Sequence, residues 1–403
     1  MIEALFASDN IGPQAHKDIE MKPDFEGEVI KCRAAVAWGP KDLRVEMVEV
    51  YPPKEEEIRI KILYNALCHT DVAIISGWMK EAKYPAVPGH EATAVVESVG
   101  PGEKEFQPGD IVMPTPFPEC KKCEYCKRGD TNMCNAALTD MTSLTATMKD
   151  GTCRIKCQGK EVYHSFGLGC FSEYTVVNRT SLCKINPHAP MDKVCLVGCG
   201  LATGYGGALN TAQIKEGERV AIIGAGCIGL SAMQGAKHCG AKDIICIDTK
   251  PIKFDTAKEM GATQCVNPED CPKDKNFAEW FLDEYGPVDK SIECVGNGDC
   301  MRWAVELVKK GYGVAVILGV PPKDQQITFP TWLILEGRTV TGGCIGDWHT
   351  VDDFPVLVDK VTNGEIKTDP MITQRYQLDQ IREAIDLMGE GKCIRAVFQM
   401  ANE

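Results

Sequence analysis

The chain contains no run of about 20 consecutive apolar residues, and this absence excludes a hydrophobic membrane-spanning helix. Basic residues are also in deficit, because 44 Lys and Arg stand against 57 Asp and Glu, for a formal net charge of -13. A nucleic-acid-binding surface needs a basic face, so this balance argues against such a partner. Internal repeats and low-complexity segments are absent as well.

Neither end of the given sequence contains a recognisable targeting signal. The first 28 residues contain no arginine and no apolar block that ends in a small-residue cleavage site. The last residues, MANE, match no targeting signal. We therefore expect a soluble, cytoplasmic protein, with residues 1–27 as a flexible tail.

Cysteine, by contrast, is abundant, with 21 residues spread over the chain. In a reducing compartment such residues are small hydrophobic groups or metal ligands, and we expect no disulfides. With 403 residues, 44% of them hydrophobic, the chain is long enough for two domains.

The hydrophobic pattern changes near residue 200. Before it, short Val- and Ile-rich segments separated by Gly and Pro predict a compact, mainly antiparallel β domain: VIKCRAAVAW, EEIRIKILYNAL, HEATAVVESVG and GDIVMP. After it, apolar strands alternate with helical segments from ERVAIIGAGCIG to GVAVILGV, which predicts a doubly wound parallel sheet. Beyond GRTVTGGCIGDW the pattern loosens, and we expect the chain to return to the first domain.

Four cysteines, Cys120, Cys123, Cys126 and Cys134, follow the spacing C-x2-C-x2-C-x7-C. Two C-x2-C steps let a turning backbone direct successive sulfurs towards one tetrahedral ion, so we interpret the group as a structural zinc site with no open coordination position. Reactive or inert thiols are the alternative. A nucleic-acid-binding zinc ribbon is disfavoured by the acidic surroundings.

Three further segments each offer one soft ligand: LCHTD at Cys68, PGHEA at His90 and GCG at Cys199. Each is weak alone, since an isolated Cys or His is more often a core residue than a ligand.

Together these segments resemble the zinc-dependent medium-chain alcohol dehydrogenases, closest to the class III branch that oxidises S-hydroxymethylglutathione. The resemblance runs from about Glu28 to Met400 and includes KCRAAVAW, CHTD, GHEA, the four-cysteine loop, GTCRIKCQGK, FSEYTVV, the long segment APMDKVCLVGCGLATGYGGALNTA, GAGCIG, SIECVGN and IRAVF. It implies a GroES-like, mainly-β catalytic domain formed by residues 1–200 and 345–403, and a Rossmann NAD-binding domain formed by residues 201–344.

The resemblance also implies a catalytic zinc held by Cys68, His90 and Cys199, with the fourth position open for water or substrate. Asp71 would orient His90, or serve simply as an N-terminal helix residue. Glu91 would lie behind the metal as an additional negative charge and occasional ligand.

The segment GAGCIG places Gly224, Gly226 and Gly229 between an apolar strand and a helix, and Asp248 ends the next strand. This context fits a dinucleotide fingerprint, and the carboxylate of Asp248 favours NAD over NADP. By resemblance, Lys253 and Arg395 contact the adenosine ribose side and the pyrophosphate, although either is otherwise an ordinary surface charge. His69 is placed on the coenzyme side too.

The implied reaction is hydride transfer between an alcohol and NAD. Thr70 resembles the family hydroxyl that takes the alcohol proton, but Ala73 stands where many relatives carry the histidine that ends the proton relay. We therefore expect another proton route, through water or His69.

The substrate anchors also depart from the class III pattern. Leu138 replaces the arginine and Met79 replaces the acidic residue that class III enzymes use for glutathione. We expect a pocket for an uncharged, hydrophobic or allylic primary alcohol, lined by Pro116, Phe117, Leu138 and Met141 if these are not ordinary loop-packing residues. S-(hydroxymethyl)glutathione dehydrogenase is the alternative, and a non-catalytic binding or structural protein of this fold is a lower one. A homodimer joined through an exposed edge strand in GYGVAVILGV is expected.

Overall fold

The computed structural model describes residues 26–135 and 145–400. The residues 1–27 that were expected to form a tail lie outside this part of the chain except for the last two.

The strands of the described residues are numbered in chain order. They are β1 Ile30–Gly39, β2 Asp42–Val50, β3 Glu57–Ala66, β4 Ala86–Val87, β5 Glu91–Val99, β6 Ile111–Pro114, β7 Thr145–Ala146, β8 Ile155–Cys157, β9 Lys160–Ser165, β10 Tyr174–Asn178, β11 Leu182–Lys184, β12 Arg219–Ile223, β13 Asp243–Ile247, β14 Gln264–Val266, β15 Lys290–Glu293, β16 Val314–Ile317, β17 Thr339–Gly342, β18 Ile372–Gln377 and β19 Arg395–Gln399.

The α-helices are numbered in the same way. They are α1 His69–Ser76, α2 Glu124–Arg128, α3 Met191–Val194, α4 Gly200–Gly206, α5 Cys227–His238, α6 Phe254–Glu259, α7 Phe277–Tyr285, α8 Gly298–Leu307, α9 Trp332–Leu335, α10 Thr350–Thr362 and α11 Ile381–Gly389. None of the helices in the described residues is both long and apolar enough to cross a membrane.

Two largely antiparallel sheets form the first half of the structure. One has the order β4-β1-β2-β8-β9-β7, and the other has the order β11-β6-β5-β3-β19-β18, with β10 also paired to β3. The four Val- and Ile-rich segments form β1, β3, β5 and β6 at the predicted places. Strand β2 was not predicted, because its sequence DLRVEMVEV mixes charged residues with a weak alternation.

The second half is the predicted parallel sheet, in the order β14-β13-β12-β15-β16-β17. Strand β12 leads directly into α5, and β15 is followed by α8, as the alternation of apolar and helical segments indicates. The α/β fold class is therefore present. Strand β14, which has only three residues, and helix α7, which has nine, were missed.

The last part of the chain returns to the first half. Strand β19 pairs antiparallel with β3, so that Val397 and Ala66 are partners. The predicted edge strand was wrong, however: GYGVAVILGV forms β16, which lies between β15 and β17. Strand β17 follows β16 along the chain and pairs with its outer side, so β17 is the edge on this side of the sheet and β14 is the edge on the other.

Candidate active site

The first ligand candidate, Cys68, stands between β3 and α1. The helix begins at His69, and the carboxylate of Asp71 turns back to accept the Cys68 backbone N–H at 3.1 Å. The same carboxylate accepts the Gly89 N–H at 2.9 Å and lies 3.1 Å from Nδ1 of His90. Asp71 is thus both a helix-start residue and the partner of His90, and the two roles predicted for it are compatible.

His90 reaches this place because of a tight approach at Gly89. Gly89 has φ of +103°, and a Cβ there would lie 2.5 Å from the backbone nitrogen of Phe171. His90 is 1% exposed, so its ring faces the interior. With Nδ1 held by Asp71, the Nε2 atom is the one free for a metal.

Cys199 lies at the start of α4 and completes the group. One ligand atom from each of Cys68, His90, Glu91 and Cys199 lies within 4.8 Å of the others. Two thiols and an imidazole are the soft donors that zinc prefers, so the donor set fits the ion. The structure therefore brings together the three ligands that the resemblance implies.

The carboxylate of Glu91 accepts hydrogen bonds from two other residues. Its Oε1 accepts hydrogen bonds from the Gly200 N–H at 3.1 Å and from Arg395 at 2.9 Å, while Oε2 accepts from Arg395 at 3.1 Å. Arg395 is 3% exposed and also lies 3.6 Å from the sulfur of Cys68. Because Gly200 and Arg395 already hold the Glu91 carboxylate, Cys68, His90 and Cys199 are the residues that would hold a metal ion here.

The titratable groups at this centre shift one another's pKa values strongly. The hydrogen bond with Cys199 lowers the pKa of Cys68 well below its ordinary value, and the charge of Arg395 adds to this against the opposing effect of burial. Burial raises the pKa of Glu91 to about 7, although Arg395 opposes the rise. The same hydrogen bond between Cys68 and Cys199, together with burial, raises the pKa of Cys199 well above its ordinary value, so a metal ion that binds here must displace the Cys199 proton.

A cavity of about 540 Å³ opens from Cys68 and runs between the two halves of the structure. Thr70 lines it, with Oγ1 3.8 Å from the Cys68 sulfur, and so do His69, Ala73 and Met79. Met79 is 7% exposed and packs with Ala73 and Ile74. An apolar wall therefore faces the ligand group on this side.

The predicted pocket lining was partly wrong. Pro116 and Phe117 do not line this cavity; Phe117 packs against the core, and its carbonyl accepts the hydroxyl of Thr350. Leu138 and Met141 lie outside the described residues. Sequence reasoning missed Trp78, Trp303 and Val320, which do line the cavity. Only Trp78 gave a signal, as an aromatic residue next to Met79.

The coenzyme side of the cavity is formed by the turn between β12 and α5. Gly224 and Gly226 line it, and a Cβ on Gly229 would lie 1.8 Å from the Gly224 carbonyl oxygen. Only glycine at position 229 lets helix and strand approach this closely. The geometry fits a pyrophosphate placed against the helix N-terminus.

Asp248 and Lys253 face the same end of the cavity. The Asp248 carboxylate accepts the Ala225 N–H at 2.7 Å, and Lys253 Nζ lies 3.6 Å from it. Arg395 also lines the cavity, but its ion pair with Glu91 ties it to the ligand group. This second role of Arg395 was not predicted.

The four clustered cysteines form a separate group. One sulfur from each lies within 4.8 Å of the others, and those of Cys123 and Cys134 are 3.8 Å apart. Sulfurs placed about 2.3 Å from one tetrahedral centre are separated by about 3.8 Å, so this spacing fits zinc. Backbone N–H groups of Cys123 and Cys126 point at the preceding sulfurs at 3.3 and 3.5 Å, which stabilises thiolates.

Two family models match the chain. Residues 54–187 match the alcohol dehydrogenase GroES-like domain, and residues 227–363 match the zinc-binding dehydrogenase domain.

Curated relatives and solved structures agree with these matches. Alcohol dehydrogenase class-3 of Caenorhabditis elegans is 44% identical over 92% of this chain and 97% of its own, and that of Myxine glutinosa is 45% identical over 93% and 100%. Benzyl alcohol dehydrogenase from Acinetobacter calcoaceticus superposes with a TM-score of 0.82 at 25% identity, covering 92% of this chain and 100% of its own.

Proposed function

The chain belongs to the zinc-dependent medium-chain alcohol dehydrogenases, in their class III branch, and we propose that its substrate is S-(hydroxymethyl)glutathione, the adduct of formaldehyde and glutathione. Four class-3 alcohol dehydrogenases at 43–45% identity over 92–94% of the chain are the observation that carries this proposal. They favour the alternative drawn from the sequence over its main interpretation, a hydrophobic or allylic alcohol.

The protein is an NAD-dependent zinc enzyme, and we propose that its residues divide the work as follows. Cys68, His90 and Cys199 hold the catalytic ion, while Cys120, Cys123, Cys126 and Cys134 hold the structural one. When bound, zinc supplies a Lewis acid for the substrate oxygen and NAD supplies the hydride acceptor.

The remaining residues bind, orient and move the proton. Thr70, beside Cys68 in the cavity, takes the proton of the substrate hydroxyl, and His69, exposed at the cavity wall, is the next group towards solvent. Gly224, Gly226 and Gly229 admit the pyrophosphate, with Asp248 and Lys253 on the adenosine ribose side. We also propose that this cleft separates a catalytic domain (residues 1–200 and 345–403) from a coenzyme domain (residues 201–344).

A hydrophobic alcohol remains a second candidate because of one structural observation. Met79 and Trp78 line the cavity where an acidic anchor for glutathione would be expected, and Met79 is almost fully buried. The solved structure named as a benzyl alcohol dehydrogenase shares the fold over 92% of this chain.

The two candidates are separated by initial rates of NADH formation with the zinc-loaded enzyme. We expect turnover of formaldehyde plus glutathione to exceed that of cinnamyl alcohol or octanol, and Met79→Ala to leave the KM for the adduct almost unchanged. Faster oxidation of the apolar alcohols, with a KM that rises in Met79→Ala, would replace this proposal by the second candidate. No turnover of any alcohol with both zinc ions bound would support the non-catalytic alternative.

We further propose a cytoplasmic homodimer. Its support is the edge strand β17 with two exposed apolar side chains just before it, Trp332 at 66% and Leu335 at 74% exposure. Free thiols at all 21 cysteines suit a reducing compartment. Sedimentation should give a dimer for the wild type and a monomer for Leu335→Asp, with Val356→Asp, an exposed position on α10, as the control. A fluorescent fusion tests the location.

A further inference from the structure

Two cysteines that the dehydrogenase chemistry does not use lie side by side in the coenzyme half. Strands β13 and β14 pair in parallel, and Cys246 and Cys265 are direct partners in this pairing. Directly paired residues of neighbouring strands point to the same face of a sheet. Their neighbours Ile245, Ile247 and Val266 pack into the cluster on the opposite face, whereas both cysteines pack against the cluster that contains α5. The side chains of Cys246 and Cys265 therefore lie side by side on the face of the sheet that α5 covers.

The two thiols differ in access. Cys246 is fully buried, with 0% exposure, while Cys265 on the edge strand β14 is partly exposed. The neighbouring thiol of Cys246 lowers the pKa of Cys265 to about 7 against the opposing effect of burial, and the charge of Lys258 acts in the same direction as Cys246. A partly exposed thiol that ionises near neutral pH, next to a second thiol, is the arrangement found in redox-active cysteine pairs.

We propose that Cys246 and Cys265 form a redox-active dithiol, which hydroperoxides convert to a disulfide that weakens NAD binding. This inference concerns the coenzyme half and does not depend on which alcohol the enzyme oxidises.

The chemistry balances in two steps. The Cys265 thiolate attacks one oxygen of the hydroperoxide, the O–O bond breaks, and a sulfenic acid forms while the leaving alkoxide or hydroxide takes a proton from solvent. The Cys246 sulfur then attacks the sulfenic sulfur, the S–O bond breaks, and water leaves with the Cys246 proton. Cys265 is the group that raises the pKa of Cys246 most strongly. Because the sulfenic acid carries no negative charge, Cys246 ionises more easily after the first step.

The link to the coenzyme runs through the end of β13. Asp248 follows Cys246 by two residues, and its backbone N–H donates to the carbonyl of Val266, the residue after Cys265, at 3.2 Å. A disulfide holds its two sulfurs about 2.05 Å apart, and drawing the paired cysteines together to this distance shifts β14 against β13. Because Asp248 is held by β14, this shift displaces the carboxylate that faces the adenosine ribose.

The segment between the two cysteines contains the rest of the adenosine side. Lys250, Lys253 and helix α6 all lie within the loop that the disulfide would close. The thiol of Cys265 also lies 3.8 Å from the carbonyl oxygen of Phe254, the first residue of α6. Oxidation therefore acts on a continuous part of the coenzyme site.

Peptide mapping tests the covalent step. The zinc-loaded enzyme is treated with hydrogen peroxide, free thiols are alkylated, and tryptic peptides are analysed without reduction. We expect a cross-link between residues 243–253 and the peptide that holds both Cys265 and Cys271. Cys265→Ser should abolish this cross-link, and Cys271→Ser, a partly exposed thiol in the same peptide, should retain it.

Fluorescence titration with NADH tests the consequence. Displacing one charged hydrogen-bond acceptor should weaken NADH binding about tenfold, or about 1.4 kcal/mol, and dithiothreitol should restore it. The loss should occur in Cys271→Ser and not in Cys265→Ser, which separates it from oxidation of the zinc-site thiols. Absence of the cross-link, its persistence in Cys265→Ser, or a cross-linked enzyme with unchanged NADH affinity would overturn the proposal.

Discussion

Replacing Asp71 by asparagine should weaken binding of the catalytic zinc and leave binding of the structural zinc unchanged. The carboxylate is completely buried and accepts three hydrogen bonds, from the N–H groups of Cys68 and Gly89 and from Nδ1 of His90. Asparagine has the same shape but only one accepting oxygen. If that oxygen stays with Gly89 and His90, the amide NH2 must face the Cys68 N–H, so that a donor meets a donor.

The expected cost has two parts. One buried backbone N–H without an acceptor costs about 1–3 kcal/mol of folding stability. Loss of the carboxylate behind a metal-binding histidine lowers metal affinity by about 10–100-fold, equivalent to about 1.4–2.7 kcal/mol. The three ligands themselves are unchanged, so zinc binding should be weakened and not abolished.

Zinc content after dialysis against a graded series of chelator concentrations measures this directly. We expect the variant to fall from two ions per chain to one at a chelator concentration that leaves the wild type intact. Asp289→Asn is the matched control, since Asp289 is also buried and accepts the Arg219 N–H and the Lys309 ammonium, but in the coenzyme half. That control should lose stability and keep both ions. Wild-type zinc retention by Asp71→Asn would refute the positioning role of Asp71.

Three other changes test separate parts of the structure. Gly229→Ala places a Cβ about 1.8 Å from the Gly224 carbonyl oxygen, and this clash should push helix α5 away from β12. Titration with NADH should show binding weakened at least tenfold, while both zinc ions stay bound. Unchanged affinity would contradict the close approach of helix and strand. Asp248→Asn removes the charge that repels a 2'-phosphate, and kcat/KM for NADP relative to NAD should rise; an unchanged ratio would mean that another group excludes NADP. His349 lies 2.8 Å from the Glu119 carboxylate and 3.3 Å from the Gly129 carbonyl oxygen. Burial acts to lower the pKa of His349, but these two acceptors and the charge of Asp353 raise the pKa above its ordinary value. The protonated ring therefore stabilises the fold fully below about pH 6.5 and ceases to do so as the pH rises through the raised pKa. His349→Gln should lower the melting temperature at pH 5.5 and match the wild type at pH 9, whereas an equal loss at both values would show that its charge is irrelevant.

Local signals could be read from the sequence, and contacts between distant segments could not. The C-x2-C steps of Cys120, Cys123 and Cys126 are a local geometric pattern, and so is the glycine turn between β12 and α5. Cys68, His90 and Cys199 carry no such pattern, and their grouping was inferred by resemblance alone. The failure at Phe117 has the same origin, because the packing of its loop against Thr350 depends on a segment more than 200 residues later.

The buried pair of Arg395 and Glu91 shows what sets the active-site geometry. Ala66, the last residue of β3, has Glu91 of β5 as its partner on one side and Val397 of β19 on the other. The next N–H along the chain, that of Leu67, donates to the Ala396 carbonyl at 2.9 Å. One position at the end of β3 therefore fixes the distances between Cys68, the His90–Glu91 pair and Arg395. Because a slip of one residue reverses every side chain of a strand, the register of these three strands specifies the metal site as firmly as the ligands do. Side chains of both antiparallel sheets pack in one hydrophobic cluster that includes Ile58, Ile60 and Ile62 of β3, so the packing that holds this register also sets the geometry of the metal site.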